Sequence, residues 1–376
     1  KIEFSPQLNL SLELLNNLID SAPSGGLLVD VFNYCFPIIK NIILNTSDDQ
    51  VLQTGGQVFN SLIGKDDQTL LKYVDPDTKQ SGLDIVLLIA SKFLSPELSD
   101  SAALNSGTII FTVIEKFLNV LGGEFSTSIL EATVRRLLLL KAVVTTENLV
   151  MVFCKLVLNS PEEMINFLSE AKFPNPKTGV EESGLGLVLP IWFQSFEIIR
   201  GYDQIKQNVL AIAKLFSLGD SRLDSLLVDG DLIPYEGDKI ITRSMKRDLP
   251  ERYTQISASL KILKLLVGEL GFQFQQPDAK DYLPEEAIEQ EDNGGDDDAW
   301  EDMDDIGVPN FDKLKSYVDS DDEDNYDGHE ADEDLKQLLV QFFKECTAKN
   351  LGNFRVYYEQ LSEDEKKEIT QNVIFT

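Results

Sequence analysis

The sequence predicts an all-α fold: a solenoid of antiparallel helix pairs with one long acidic loop inserted in a late repeat. Three observations predict it. Apolar residues recur at helical spacing along most of the 376-residue chain. Pro and Gly close the apolar runs at short, regular intervals, and no alternation typical of strands persists between them. Finally, residues 281–334 hold 24 acidic residues and only two basic ones, Lys313 and Lys315, whereas the other 322 residues are nearly balanced, with 40 acidic and 31 basic.

The first stripe is Leu8, Leu10, Leu12, Leu14, Leu15, Leu18 and Ile19, stopped by Ala22-Pro23 and Gly25-Gly26. Residues 27–44 form a longer apolar run with Pro37 inside it, which reads as a kinked buried helix. Asp48 or Asp49 caps the next helix, whose stripe is Val51, Leu52, Val58, Phe59, Leu62 and Ile63. Helices follow over 83–94, closed by Ser95-Pro96, over 104–121, closed by Gly122-Gly123, and over 126–144 and 147–158. Pro161 after Ser160 opens 162–172; then come 184–200, 202–218 and 256–270. Beyond the acidic segment, 335–349 and 362–373 return to helix. Pairs of about 40 residues, roughly six or seven of them, match the HEAT-repeat pattern, in which each pair buries its apolar face only by stacking on neighbours. Residues 173–179 are a Pro-rich loop, and 219–252 a longer insertion. The division is therefore a body over 1–280, an acidic loop over 281–334 and closing helices over 335–376.

The formal charge of −31 opposes binding to nucleic-acid phosphates or anionic membranes and favours cationic protein partners. Within 281–334, like charges repel and little apolar surface offsets ordering entropy, so this loop reads as extended and mobile. Its first cluster is Asp296, Asp297, Asp298, Trp300, Glu301, Asp302, Asp304 and Asp305; its second is Asp319, Asp321, Asp322, Glu323, Asp324 and Tyr326. Carboxylates attract basic side chains at range, and the interleaved rings insert or stack on arginine. These are the candidate binding residues. The second cluster is not a calcium loop, because the sixth position is Asp324 where that loop needs Gly. Ser320, followed by Asp321-Asp322-Glu323, is a candidate phosphorylation site for an acid-directed kinase. Arg243, Lys246, Arg247 and Arg252 make the 219–252 insertion locally basic, and Arg243, Lys246 and Arg247 form a candidate internal dock for the acidic loop.

Catalysis finds little support. The single histidine, His329, lies in the acidic loop, so His-based relays and clustered His metal sites are excluded. The Gly-Gly pairs lack the Lys-Ser/Thr of a phosphate loop. No metal site and no cofactor is expected. Cys35, Cys154 and Cys346 read as small buried hydrophobes. No apolar run is long enough to span a bilayer, and nothing at Lys1-Ile2-Glu3-Phe4 reads as a signal peptide.

Several stretches resemble the importin-β (karyopherin-β) superfamily, most of all the importin-nine branch and its fungal member. They are residues 230–244 with Arg243, the run Pro250-Glu251-Arg252-Tyr253-Thr254, the helix 259–270, the acidic run 296–302 and the ending 353–362. The resemblance covers the second half well and the first half only as repeat pattern. It implies the C-terminal part of a longer nuclear transport receptor that shuttles between cytoplasm and nucleus. It further implies basic cargo, namely core histone dimers and the TATA-binding protein, contact with nuclear pore proteins, and release governed by Ran-GTP through N-terminal repeats. The acidic loop would then shield cargo charge in a chaperone-like way, in a monomeric receptor. A different reading of the same residues is a helical scaffold in a static complex, with the acidic loop serving solubility only.

Overall fold

The computed structural model describes residues 3–23, 27, 29–199, 201–233, 252–275 and 335–373. The helices in chain order are α1 (Pro6–Asp20), α2 (Val29–Asn45), α3 (Asp49–Lys65), α4 (Asp67–Lys72), α5 (Gly82–Phe93), α6 (Ser106–Leu137), α7 (Val143–Asn159) and α8 (Pro161–Glu170). Next come α9 (Gly184–Ile198), α10 (Tyr202–Leu218), α11 (Ser221–Ser225), α12 (Ala258–Gln275) and α13 (Leu335–Lys349). A 3₁₀ turn (Leu351–Asn353) leads to α14 (Phe354–Tyr358) and α15 (Glu363–Asn372).

Local chemistry sets most boundaries. The Asp48 carboxylate accepts from the Gln50 and Val51 amides and starts α3. Ser81 and Asp84 form a reciprocal capping box on α5, as Ser362 and Glu365 do on α15. Pro161 occupies the first turn of α8. Pro37 sits inside α2, as expected, and Pro190 inside α9.

The solenoid character lies in a ladder of parallel helices. Asn9 of α1 accepts a hydrogen bond from Thr54 of α3 (2.6 Å), and Asn16 accepts one from Ser61 (2.9 Å). Both positions advance together, so α1 and α3 run parallel. The ladder continues from Asn105, which donates to the Gln53 carbonyl (2.8 Å), to Asn148 of α7, whose Oδ1 accepts from the Gly107 amide (2.8 Å). Gly107 is required there, because a Cβ would fall 2.0 Å from the Asn148 carbonyl oxygen. From α7 to α10 the rungs are Met151–Asn208 and Leu158–Lys214. The laddered helices start at 6, 49, 106, 143 and 202, in steps of 37 to 59 residues. Strict tetratricopeptide spacing is 34 residues, and HEAT spacing about 40–47.

Two cores fill the stack. The first gathers Phe32, Phe36, Phe59, Ile89 and Phe93 with Ile109, Val113 and Phe117 of α6. The second takes the neighbouring α6 residues Ile110 and Ile114 and runs through Phe153, Trp192, Phe216 and Leu263 to Phe343 and Ile369. One helix thus walls both cores with adjacent faces, as stacked repeats require. Trp192 Nε1 is satisfied inside by Asn208 Oδ1 at 2.8 Å.

Several expectations are corrected. The break expected at Gly122 between helices over 104–121 and 126–144 is present, since Gly122 is non-helical (φ +76°, ψ 167°) and divides α6 into two helical halves, but the second half stops at Leu137 rather than at 144. Gly122 has open space around it and bends the chain without ending hydrogen bonding through the Ser126 and Thr127 hydroxyls, which bond back to the 122 and 123 carbonyls. The chain is not free of strands. Antiparallel pairs β1 (Lys172–Pro174) with β2 (Glu181–Ser183) and β3 (Leu227–Leu232) with β4 (Tyr253–Ser257) close the bases of both loops. They shorten the helix expected over 162–172, and they place Ile256 in a strand rather than in α12. The 219–252 insertion is not irregular from its start, since α11 and β3 occupy its first residues. The helix α4 was unforeseen.

Candidate functional site

The two ends of the acidic segment are rooted on adjacent helices. The helix α12 ends at Gln275, six residues before the segment begins at Asp281, α13 begins at Leu335 directly after it, and α12 packs directly on α13. The Leu335 side chain is fully buried, and its amide donates to the Tyr202 hydroxyl at 3.0 Å. The Lys336 ammonium lies over the Phe274 ring, 4.4 Å from its centroid, so residues on either side of the segment touch. Behind them, Phe342, Phe343, Phe354, Phe216 and Tyr357 form an edge-to-face aromatic network with centroids 5.2–6.4 Å apart. The roots are therefore part of the second core.

The base of the 219–252 insertion abuts the same helix. Ile233 donates its amide to the Arg252 carbonyl at 2.8 Å, and β4 runs straight into α12. Lys264 of α12 joins three elements: its ammonium bonds Asp231 of β3 (2.9 Å) and Glu365 of α15 (2.8 Å). Burial works to lower the Lys264 pKa, but the Glu365 and Asp231 carboxylates outweigh it, and the net shift is upward. Sequence reading missed this junction. Its members are 33 and 101 residues from Lys264 in the chain, and only folding reveals the pairing.

The acidic candidates Asp296, Asp297, Asp298, Trp300, Glu301, Asp302, Asp304, Asp305, Asp319, Asp321, Asp322, Glu323, Asp324 and Tyr326 lie outside the described residues. So do Ser320, His329 and the basic residues Arg243, Lys246 and Arg247. What the structure supplies is where their segments attach: both spring from α12, one from each end. Among the described residues no group of three or more His, Cys, Asp or Glu is placed to hold a metal ion. Cys154 and Cys346 are buried thiols pushed up to about 12 by desolvation, which makes them inert packing groups. No described helix is long and apolar enough to cross a membrane.

Comparison with known proteins follows the same architecture. Residues 8–229 match the family described as importin-11-like, TPR repeats. The chain belongs to the importin-β superfamily. It is 36% identical to importin subunit beta-5 of Saccharomyces cerevisiae over 99% of its own length and 36% of the relative's. It is 27% identical to importin subunit beta-5 of Schizosaccharomyces pombe, covering 97% of this chain and 35% of the relative. It is also 27% identical to importin-9 of Drosophila melanogaster, covering 95% and 34%. The importin chain thus spans about a third of the length of the curated relatives it matches. The family match ends at residue 229, within β3, while the relatives align over nearly the whole chain, acidic segment included.

Proposed function

We propose that this importin chain is the cargo-handling part of a nuclear import receptor. Its division would be a helical body over 1–280, the acidic segment 281–334 and closing helices over 335–376. The cargo is basic, with core histone dimers and the TATA-binding protein as its proper class. The two clusters from Asp296 to Asp305 and from Asp319 to Tyr326 meet cationic side chains and compete with nucleic acid for them. The chemistry is binding, not catalysis. In the complete receptor, Ran-GTP governs release, nuclear pore proteins are further partners, and the protein shuttles between cytoplasm and nucleus. Ser320 phosphorylation would add charge to the same segment.

The observation that carries this reading is the rooting of the segment. A segment of net charge −22 begins and ends on two packed helices, beside the Phe274–Lys336 contact. Tethering at both ends keeps its charge close to the solenoid surface, so a cationic guest meets field and surface together. The test is displacement. A histone dimer is bound to the complete receptor carrying this segment, and Ran-GTP is added. Release of the dimer, or formation of a ternary complex with weakened cargo contact, is the expected result. A receptor whose hold on the dimer ignores Ran-GTP would instead be the static scaffold.

A further inference from the structure

Between α12 and α15 lies a groove of about 400 Å³. Val267, Gly268, Gly271 and Phe272 form its floor, and Asp364, Glu365 and Glu368 line the facing wall. The floor is apolar and open, with the Phe272 ring 51% exposed. Gly268 sits mid-helix, and a Cβ there would meet no atom within 4 Å. Glycine in a helix interior costs about 0.5–1 kcal/mol relative to alanine. Gly271 is explained by packing, since its Cβ would lie 3.0 Å from a Glu368 carboxylate oxygen. Gly268 has no such explanation; what its missing side chain does is leave the groove clear.

We infer that this groove binds an extended, arginine-bearing segment of a cationic protein. An apolar residue or a guanidinium plane would lie over Gly268 and Phe272, and positive charge would pair with Asp364 and Glu368. Charge decides the occupant. Among the described residues Lys264 is the one cation lining the groove, and it is already engaged by Asp231 and Glu365. The Glu365 carboxylate is further used by the Ser362 amide, and one Glu368 oxygen accepts from Asn372. Asp364 forms no ion pair or hydrogen bond to another described side chain, and Glu368 keeps acceptor capacity. An acidic or purely apolar partner would face three carboxylates; arginine satisfies both surfaces, because its planar head stacks on rings and forks onto carboxylates. The groove also reaches Gln275, six residues before the acidic segment begins at Asp281. A guest drawn by that segment arrives beside a site able to hold it by shape. The inference thus rests on the cargo-binding reading and adds to it a place where specificity exceeds bulk electrostatics.

The test uses the 376-residue chain and two labelled probes: a dodecapeptide of Arg, Leu and Gly, and an oligolysine of equal charge. Gly268→Leu fills the groove and replaces a poor helix former with a good one, so the fold is kept, as an unchanged or higher melting temperature verifies. The variant is expected to bind the Arg–Leu peptide about tenfold more weakly and oligolysine as before, with Gly268→Ala within about twofold of the parent for both. Asp364→Asn with Glu368→Gln keeps the space open and is expected to weaken the Arg–Leu peptide about fivefold, which decides the matter if Gly268→Leu disturbs the helix. Unchanged Arg–Leu affinity in both variants, or equal loss of both probes, overturns the groove. Deleting residues 286–332 separates the two ideas: oligolysine indifferent to that deletion sinks the acidic-segment reading, while the Gly268 result stands or falls alone.

Discussion

The two ends of the helix stack differ in kind. At the α1–α2 end, Leu10, Leu14 and Leu18 are 59–66% exposed at four-residue spacing, and Tyr34 is 74% exposed beside Ile38 on α2. At the other end Phe216, Phe343 and Phe354 are inside, Phe272 in the groove being exposed, and α15 reads Glu-Asp-Glu-Lys-Lys-Glu over its first six positions with only Ile369 buried within it. A solenoid terminus is soluble when its outer face is polar. The α15 end presents a polar face, and the α1–α2 end an exposed apolar stripe. Both loop insertions and the groove share α12 at the polar end. The lesson is that repeat position, not repeat sequence, separates stacking surfaces from functional ones.

Removing a ring from each core would sharpen this contrast most. Phe343→Ala and Phe36→Ala each empty a fully buried site, with an expected cost of about 3–5 kcal/mol. Because repeats couple chiefly to neighbours, the damage should stay local. Hydrogen exchange of Phe343→Ala is expected to show lost protection in 258–275 and 335–373 with 49–93 retained, and Phe36→Ala the reverse. Uniform loss in both variants would break the picture of two linked cores.

The ends should also fail at opposite extremes of pH. The Lys40 ammonium, followed by the Thr78 amide, holds the nearly buried Asp75 carboxyl far below the ordinary value of 3.8, although burial opposes this. A lowered folded pKa gives stability that is complete above the unfolded value and lost as pH falls below it. Lys264 is raised above 10.5, so its contribution is complete below that value and lost as pH rises through the folded pKa. Asp75→Asn is therefore expected to flatten the decline in melting temperature below about pH 4 while leaving the alkaline side unchanged. Lys264→Met is expected to do the converse. An acid limb of unaltered slope in Asp75→Asn would contradict the assignment.

The smallest effect on stability belongs to the bare stripe. Leu10→Gln with Leu14→Gln and Leu18→Gln removes exposed side chains, so the melting free energy should move by no more than about 0.5 kcal/mol per site. Light scattering should show less self-association at high concentration. A large loss of stability would mean that the stripe is packed rather than exposed.

Much of the fold was legible in the chain because its signals are local. Asp48, Pro161 and the stripe from Val51 to Ile63 lie within one or two turns of what they specify, and they land as read. The six-residue α4 is too short for any period to show. The strands escaped for a similar reason. Each pair is three to six residues long and held by pairing across a loop rather than by alternation, although Asn175 and Gly179, with φ +71°, did mark the first turn. Gly122 read as a terminator and acts as one, because its φ of +76° with ψ of 167° is a backbone conformation open to glycine that no helix contains. The candidate site divides in the same way. Its charge is written in composition, whereas its roots depend on Tyr202 meeting Leu335 and Lys264 meeting Glu365, contacts that span 133 and 101 residues. An exposed glycine in the middle of α12 was the one sequence signal for the groove.

We propose that a doubly rooted polyanion beside the helix stack gives this importin chain its hold on basic cargo. Titrating a labelled core histone dimer with the chain, with and without residues 286–332, from about 50 to about 300 mM salt tests it most directly. The account predicts weaker binding after deletion, a larger deficit at low salt, and a shallower dependence of log affinity on log salt. Equal affinities and parallel slopes for the two proteins would contradict it.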